Sequence, residues 1–292
     1  SPRRRSMSAD ATVSWRELWA ETAEVVGDRA HARWLCEVAS GSADGDEFLG
    51  RLDEPATVRM VGHLDAMLAR LAGGEPLQYV LGEWSFRRIT LAVDRRVLIP
   101  RPETELVAEV ALGKAATSGP TRVIADLGTG SGAIGLALAH ELPRTGTTVW
   151  LTDVSDDALD VARANTAGIG PAGVNVRIAS GSWLDALPAD VRCDVIVSNP
   201  PYVAVGSPDL EPLVGDWEPH QALFAGVDGL DDIRTIVGAA PARLYPGGWI
   251  VLEIGADQGD AVAELLSAAG FIDVEILPDL AGLDRVALGR RS

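Results

Sequence analysis

The stretch VIVSNPPY at residues 195–202 decides how this chain is organised. Its first half is apolar and rich in β-branched residues, which predicts a buried strand ending at Asn199. The two prolines that follow fix φ and remove two backbone N–H donors, so the segment presents mainly hydrogen-bond acceptors. Tyr202 adds a flat ring on which a planar group can stack. Residues 199–202, called the proline corner below, suit an incoming NH₂ group; a simple strand-terminating turn is the competing interpretation.

Strands and helices alternate from residue 121 to the end of the chain. Strands are predicted at 122–126, 148–152, 174–179, 195–198, 249–254, 274–277 and 285–288, and helices at 133–140, 155–167, 231–243 and 257–269. The alternation predicts a doubly wound, Rossmann-like α/β domain, to which we assign residues 106–292. Ligands of such sheets bind beyond the carboxyl ends of the strands, where Asp126, Asp153 and Asn199 fall.

A glycine-rich turn follows the first strand of this domain. Its sequence is GTGSG at residues 128–132, called the glycine turn below, and it leads directly into a helix. The turn also satisfies the G-x-G-x-x-G fingerprint, which by itself fits an NAD-type or an S-adenosylmethionine-type nucleoside. Asp153 can accept both hydroxyls of a ribose, and Asp126 suits a cationic amino group. The proline corner favours methyl transfer to nitrogen, because hydride transfer needs no acceptor-lined clamp for an amide.

The N-terminal part of the chain has a helical period. Helices are predicted at 15–26 with a capping box at Ser14, at 28–38, at 46–52, and from Pro55 in a first turn through Leu71. Residues 14–73 therefore predict a small helical bundle, interpreted as a substrate-docking domain rather than a stabilising cap. Residues 1–13 are expected to be a tail, a cloning remnant or an upstream extension.

Residues 74–105 predict a connector between the bundle and the α/β domain. Alternating apolar residues in its middle predict a β-hairpin, and a Pro-Arg-Pro segment at 100–102 precedes Glu103, which opens a helix. A flexible tether has no need of Trp84, Phe86 or a rigid proline segment. The connector is therefore interpreted as a lid over the neighbouring site.

Composition and charge limit the partners and the compartment. With 25 basic and 42 acidic residues the net charge is −17, which disfavours sequence-independent electrostatic binding to nucleic-acid phosphates. Cys36 and Cys193 are too few for a disulfide framework and indicate a reducing, cytoplasmic compartment. The four histidines lack ligand spacing, so no metal site is predicted. No apolar run approaches the ~18 residues of a membrane span, and a monomer is expected because nothing in the sequence demands a dimer.

Eight segments occur in one order along the chain. They are GEPLQY at 74–79, LIPRPETE at 98–105, DLGTGSG at 126–132, NPPY at 199–202, EP at 218–219, ALF at 222–224, DGL at 228–230 and DRV at 284–286. With these segments the chain resembles the PrmC/HemK family of protein-(glutamine N5) methyltransferases, which modify peptide chain release factors. The resemblance covers residues 74 to the end, and the helical start fits the family's N-terminal domain.

The resemblance implies S-adenosyl-L-methionine as methyl donor, S-adenosyl-L-homocysteine as product, and the glutamine of the Gly-Gly-Gln motif in class I release factors as acceptor. The implied cofactor-binding residues are Asp126, Gly128, Thr129, Gly130, Ser131, Gly132, Asp153, Trp183 and Asn199. The implied substrate-binding residues are Asn199, Pro200, Pro201, Tyr202, Arg101 and Glu103. Trp183 would lie beside the adenine or be an ordinary core aromatic, and Ser182 departs from the family's usual acidic residue at its position.

Three residues are expected to carry the catalysis. An amide nitrogen is a poor nucleophile, and the Asn199 side-chain oxygen and the Pro200 carbonyl can each accept one of its N–H groups and turn its lone pair toward the methyl group. Tyr202 would hold the amide plane. Arg101 and Glu103 either close the lid over the substrate or form a plain helix start with solvated charges.

Two other functions are open at this point. An N6-adenine nucleic-acid methyltransferase places an exocyclic amine in the same kind of clamp after flipping the base, but the charge of −17 and the lack of a basic recognition segment stand against it. A protein that binds a translation factor without modifying it needs neither the glycine turn nor the proline corner.

Overall fold

A computed structural model describes residues 13–204 and 217–292. The chain divides into two compact units, one ending at Gly82 and the other beginning at Glu83. The boundary lies within the predicted connector, at a glycine with φ of 79° that ends a short helix. Apart from Val13, the predicted tail lies outside the described residues.

The first unit is helical, as predicted. Its helices are α1 (Trp15–Val26), α2 (Arg29–Ser40), α3 (Gly45–Gly50), α4 (Val58–Ala72) and α5 (Leu77–Leu81). The capping box is confirmed: the Ser14 hydroxyl accepts from the Glu17 N–H, and the Glu17 carboxylate accepts from the Ser14 N–H. Fully buried apolar side chains from α1, α2, α3 and α4 form one core, in which the rings of Trp15 and Phe48 meet edge to face at 5.9 Å.

Two details of the helical unit differ from the prediction. Pro55 does not open α4; it forms an isolated bridge with Ser14, and the helix begins at Val58 because Thr57 accepts from the Met60 N–H as N-cap. The short helix α5 was not predicted. It is a single turn after Pro76, which is too short to show an apolar period.

The second unit begins with the predicted hairpin and continues as a doubly wound α/β domain. Its strands are β1 (Glu83–Phe86), β2 (Ile89–Ala92), β3 (Arg122–Leu127), β4 (Thr147–Asp153), β5 (Val176–Ser180), β6 (Cys193–Ser198), β7 (Leu244–Glu253), β8 (Phe271–Pro278) and β9 (Asp284–Arg291). Its helices are α6 (Thr104–Thr117), α7 (Ala133–Glu141), α8 (Asp156–Gly168), α9 (Asp231–Arg243) and α10 (Gly259–Ala268). The Rossmann-like fold is confirmed.

The main sheet has seven strands within the described residues, in the order β5-β4-β3-β6-β7-β9-β8. Strands β3 to β7 run parallel, and β9 pairs antiparallel with both β7 and β8. The order reverses direction between β3 and β6, which makes the crevice beyond their carboxyl ends the expected binding position. Both strands are buried over most of their length, because helices cover the two faces of a parallel sheet.

The hairpin of β1 and β2 is anchored to the second unit. Arg87, in its turn, has φ of 49°, and its guanidinium bonds Glu141 at 2.6 Å and Glu109 at 2.7 Å. At the end of β2, the Asn165 carboxamide accepts from the Ala92 N–H at 2.7 Å and donates to the Ser131 carbonyl at 2.8 Å. The hairpin therefore braces the glycine turn through a single asparagine side chain.

Membrane-spanning helices and clustered metal ligands are both absent from the described residues. No helix among them is long and apolar enough to cross a membrane. Within the same parts of the chain, no group of three His, Cys, Asp or Glu side chains is arranged to hold a metal ion.

Candidate active site

The glycine turn follows β3 and is held by the strand beside it. Gly128, Gly130 and Gly132 have φ of 65°, 55° and 87°, values that side chains other than glycine rarely adopt. The Gly130 N–H donates to Asp153 Oδ2 at 2.9 Å, and the Thr129 N–H donates to the β4 backbone at 2.9 Å. Asp153 Oδ1 accepts the N–H of Ser155 at 2.9 Å. The carboxylate at the end of β4 thus fixes the turn and the start of α8.

Asp126 is buried behind the turn. Its Oδ2 accepts from the Thr129 hydroxyl at 2.6 Å and from the Gly135 N–H at 2.9 Å. Burial raises the pKa of Asp126 to about 7, although these two hydrogen bonds lower it. The side chain joins the turn to the first residues of α7 and does not line the cavity described next. Its contact with a ligand amino group therefore stays a prediction.

A cavity of about 280 Å³ opens beyond the carboxyl ends of the central strands. This volume lies just below the roughly 300–1,000 Å³ range of small-molecule sites. The predicted site residues that line it are Gly128, Gly130, Asp153, Trp183, Asn199 and Pro201. The other predicted residues, which do not line it, are Asp126, Thr129, Ser131, Gly132, Pro200, Tyr202, Arg101 and Glu103. The glycine turn and the proline corner thus contribute to one cavity.

Trp183 lies against the glycine turn and also packs on the core. A Cβ added to Gly128 would lie 2.9 Å from the Trp183 ring, so this close approach requires glycine. The ring packs on the apolar cluster of the α/β domain and lies near Asp232; burial raises the pKa of that carboxyl, and the Trp183 N–H lowers it. Ser182 lines the cavity beside it. Trp183 therefore packs on the core and also lines the cavity, and its contact with an adenine stays a prediction.

The side chains of the proline corner are tied to buried groups. Asn199 Nδ2 donates to Thr104 Oγ1 at 3.2 Å, and the Tyr202 hydroxyl donates to Glu253 Oε1 at 3.3 Å. Burial, with the nearby Glu253 charge, raises the pKa of the Tyr202 phenol, so the hydroxyl keeps its proton. Because the NH₂ end of the Asn199 carboxamide faces Thr104, its oxygen faces away from Thr104.

Glu253 is the buried carboxyl at the centre of these contacts. It is 1% exposed, and burial raises its pKa to about 7, while the hydroxyl of Thr104, the charge of Arg285 and the hydroxyl of Tyr202 lower it. Its Oε2 atom is buried and has no hydrogen-bond partner among the described residues. A buried carboxyl with a raised pKa beside a cavity is a candidate functional group.

The backbone of the proline corner is fixed by Gln258. Its Nε2 donates to the Tyr202 carbonyl at 3.0 Å and to the Gly229 carbonyl at 3.3 Å. A Cβ on Gly229 would lie 2.3 Å from the Tyr202 carbonyl oxygen, so only glycine fits there. Val203 forms a parallel bridge with Phe224. The sequence segments at 222–224 and 228–230 therefore hold the corner in place.

Arg101 and Glu103 have different environments. Arg101 forms an ion pair with Glu218 at 2.7 Å, and burial raises the pKa of that glutamate while Arg101 lowers it. Glu218 precedes Pro219, which lines the cavity. Glu103 is exposed at the start of α6 and its side chain makes no capping hydrogen bond. The structure thus brings only Arg101 toward the wall of the cavity, and a direct substrate contact by either residue stays a prediction.

Sequence reasoning missed four residues that position this site: Thr104, Asn165, Glu253 and Gln258. A signal was present for Glu253, a charged residue at the carboxyl end of an apolar strand. Thr104 stood inside the quoted segment at 98–105. Asn165, in α8, and Gln258, the residue before α10, act through their side-chain amides and carried no local signal.

Comparison with known proteins gives concordant matches. Residues 20–82 match the family model of the PrmC N-terminal domain, and residues 106–211 match that of the methyltransferase small domain. The release factor glutamine methyltransferase of Neisseria gonorrhoeae is 45% identical over 77% of this chain and 80% of its own length. That of Geobacter sulfurreducens is 37% identical over 95% of both chains. The solved structure of a methyltransferase from Pyrococcus furiosus, 17% identical over 78% of this chain and 99% of that one, has a TM-score of 0.52 and shows the fold alone.

Proposed function

This chain belongs to the release factor glutamine methyltransferase family, and from that membership we propose that it methylates N5 of the glutamine in the Gly-Gly-Gln motif of class I peptide chain release factors. It is a protein-(glutamine-N5) methyltransferase by family. The methyl donor of the proposed reaction is S-adenosyl-L-methionine and the product is S-adenosyl-L-homocysteine.

The observation that carries the proposal is the orientation of Asn199. Its NH₂ group is bonded to Thr104, and the residue lines the cavity shared with the glycine turn. An acceptor oxygen held beside a nucleoside-sized cavity supports transfer to an N–H₂ group. The family membership favours the carboxamide of glutamine over the amine of adenine as that group.

The residues around the glycine turn fit S-adenosylmethionine. Gly128 and Gly130 let the backbone approach a ligand closely, and Asp153 lines the cavity with a carboxylate that can accept ribose hydroxyls. Trp183 supplies a flat wall where the adenine would lie. Asp126 would act from behind the turn, through Thr129 and Gly135. When bound, S-adenosylmethionine supplies an electrophilic methyl group on a positively charged sulfur.

The proline corner orients the acceptor. The Asn199 oxygen and the Pro200 carbonyl each accept one N–H of the glutamine carboxamide, which turns the nitrogen lone pair toward the donor cavity. The same two oxygens stabilise the positive charge that grows on nitrogen as the new N–C bond forms. The Tyr202 ring holds the amide plane. Once methylated, the nitrogen is acidic enough to lose its proton to water, so no strong base is needed.

Labelled methyl donor tests the function directly. The purified protein is incubated with methyl-labelled S-adenosylmethionine and, in separate reactions, a class I release factor, the same factor with the motif glutamine changed to alanine, and duplex DNA. We expect label on the intact release factor alone, located on the glutamine by peptide mass spectrometry. Label on adenine, or none on any of the three, contradicts the proposal.

A cytoplasmic location and a protein partner are parts of the same proposal. Release factors act in translation, and the net charge of −17 disfavours a grip on nucleic-acid phosphates. Arg101, beside Glu218 at the wall of the cavity, and the exposed Glu103 are the proposed contacts with the release factor outside the proline corner.

A further inference from the structure

Both polar side chains of the proline corner lead to one buried carboxyl group. Tyr202 reaches Glu253 directly through its hydroxyl, at 3.3 Å. Asn199 is linked to it through Thr104, whose Oγ1 accepts from Asn199 Nδ2 at 3.2 Å and whose hydroxyl is near enough to the Glu253 carboxylate to lower its pKa. Neither Thr104 nor Glu253 lines the cavity. Thr104 and Glu253 therefore lie behind Asn199 and Tyr202, which are proposed to contact the substrate.

The fold brings these residues together from three parts of the chain. Strands β6 and β7 are parallel neighbours in which Ser198 is opposite Leu252, so Asn199, just past the end of β6, and Glu253, the last residue of β7, lie side by side. Helix α6 packs on both strands, and its first residue, Thr104, is 3% exposed. The three side chains are therefore held by rigid elements, as a precisely oriented site requires.

The chemistry of the donors and acceptors sets a direction along this chain of hydrogen bonds. An ionised carboxylate accepts hydrogen bonds and donates none, so above pH 7, where Glu253 is mainly ionised, the Thr104 hydroxyl can only donate toward it. Its oxygen is then left to accept, which draws the NH₂ end of the Asn199 carboxamide to it. The opposite, carbonyl end of Asn199 is thereby turned away from Thr104. Without this constraint, the two ends of a carboxamide are nearly equal in shape and could exchange places.

We propose that Thr104 and Glu253 are positioning residues for methyl transfer, which fix the Asn199 carboxamide with its oxygen toward the acceptor nitrogen. The proposal rests on the proposed function, because it assigns these two residues a part in the same reaction. A carboxamide turned the other way would present N–H groups to the N–H groups of the substrate. The expected consequence is a loss of turnover with little change in the binding of either substrate.

Substitution of Thr104 separates its hydroxyl from its packing. Thr104→Val keeps the shape and removes the hydroxyl, and Thr104→Ser keeps the hydroxyl and removes a methyl group. For Thr104→Val we expect kcat to fall about 10-fold or more, because the acceptor group is no longer held in one orientation. The Kd for S-adenosylmethionine and the KM for the release factor should stay within about 2-fold. The reason is that the substitution leaves the contacts that hold both substrates in the ground state unchanged.

The serine variant and a binding control make this test decisive. Thr104→Ser should retain at least about a third of the wild-type kcat, because the positioning hydroxyl is still present. Binding stoichiometry with S-adenosylhomocysteine, measured by calorimetry, corrects each kcat for the fraction of folded protein. Equal corrected kcat values for the valine and serine variants overturn the role of the Thr104 hydroxyl.

A double-mutant cycle tests the part of Glu253. In Glu253→Gln the new amide can donate to Thr104, so the direction of the hydrogen bonds is no longer enforced. Assays at pH 8 keep the wild-type carboxyl, with its pKa of about 7, mainly ionised. We expect Glu253→Gln to lower kcat about 3- to 10-fold alone and by clearly less in the Thr104→Val background, as coupled residues do. No loss from Glu253→Gln alone, or the same factor in both backgrounds, overturns its action through Thr104.

The wild-type reaction distinguishes failure of this inference from failure of the proposed function. If the wild-type protein transfers no label to the release factor glutamine, the proposed function is wrong. If the wild type transfers label and Thr104→Val does so at the same kcat, the function stands and the positioning role is wrong.

Discussion

The glycine turn and the proline corner line the same cavity but are built in opposite ways. The turn is made of backbone: left-handed glycines, N–H groups held by Asp153, and a buried Asp126 that binds residues within nine positions of itself. The corner is made of side chains that meet from distant parts of the chain. Asn199 and Thr104 are 95 positions apart, and Tyr202 and Glu253 are 51 apart.

The two regions also differ in how their buried carboxyls are satisfied. Burial raises the pKa of both Asp126 and Glu253 to about 7. Asp126 Oδ2 accepts a hydroxyl and a backbone N–H, whereas Glu253 Oε2 has no partner in the described residues. The difference agrees with the proposed roles, in which the turn binds the methyl donor and the corner orients the acceptor. Substitutions in the two regions should therefore change different measurements.

The largest effect is expected at the proline corner. Asn199→Ala removes a positioned acceptor, and turnover should fall roughly 10²- to 10³-fold, as when one positioned hydrogen-bonding partner is lost elsewhere. The Kd for S-adenosylmethionine should change little, because the donor is held mainly by the turn. Single-turnover kinetics and calorimetry measure the two quantities. Normal turnover in this variant would contradict the proposal that the proline corner carries the catalysis while the glycine turn binds the donor.

The second prediction concerns the dependence of stability on pH. The raised pKa of Glu253 means that the folded protein holds a proton which the unfolded chain releases above its ordinary pKa of 4.5. The carboxyl's contribution to stability is complete below pH 4.5 and is lost as the pH rises through 7. Glu253→Gln cannot titrate, so its free energy of unfolding relative to wild type should increase by up to about 3 kcal/mol between pH 4.5 and 8.

Denaturant unfolding at the two pH values measures this difference. The exposed Glu264 supplies the control: Glu264→Gln should change the free energy of unfolding by less than about 0.5 kcal/mol at either pH. If the difference in free energy of unfolding between Glu253→Gln and wild type does not change with pH, the Glu253 carboxyl titrates like that of a solvated glutamate. That result would contradict the raised pKa.

The third prediction concerns a substitution that removes a hydrogen bond of the glycine turn. Asp153→Ala removes the acceptor of the Gly130 N–H and the proposed partner of the ribose, so the Kd for S-adenosylmethionine should rise about 10- to 30-fold. The kcat at saturating donor should fall much less. Asp157→Ala, an exposed acidic residue on the helix that follows, is the matched control and should bind normally. A large loss of kcat with an unchanged Kd would contradict the proposed role of Asp153 in binding the methyl donor.

The smallest effect is expected at the rim. Arg101 is about a third exposed and its partner Glu218 is 2% exposed, so Arg101→Ala leaves a buried carboxylate without its cation. The free energy of unfolding should fall by about 1–2 kcal/mol, less than the 3–5 kcal/mol of a wholly buried pair. Glu103→Ala, at an exposed position, should leave stability unchanged. Equal melting temperatures for the two variants would show that Arg101 does not hold the wall of the cavity.

The contrast between the regions also explains what could be predicted from sequence. The strands that form the centre of the sheet were found because a buried parallel strand is a continuous apolar run, and the turn was found because its glycines and Asp126 lie within a few residues of one another. The hydrogen bonds of Thr104, Glu253 and Gln258 depend on residues brought together only by the sheet. No local pattern encodes such pairs, which is why the scaffold of the proline corner was missed.

The proposed methyl transfer depends most directly on where the acceptor nitrogen lies. A crystal structure of the protein with S-adenosylhomocysteine and a glutamine-containing release factor peptide tests it. We expect the glutamine carboxamide nitrogen to donate to Asn199 Oδ1 and to the Pro200 carbonyl, with its free side facing the sulfur. A glutamine bound elsewhere, or an Asn199 carboxamide whose NH₂ end faces the substrate, would contradict it.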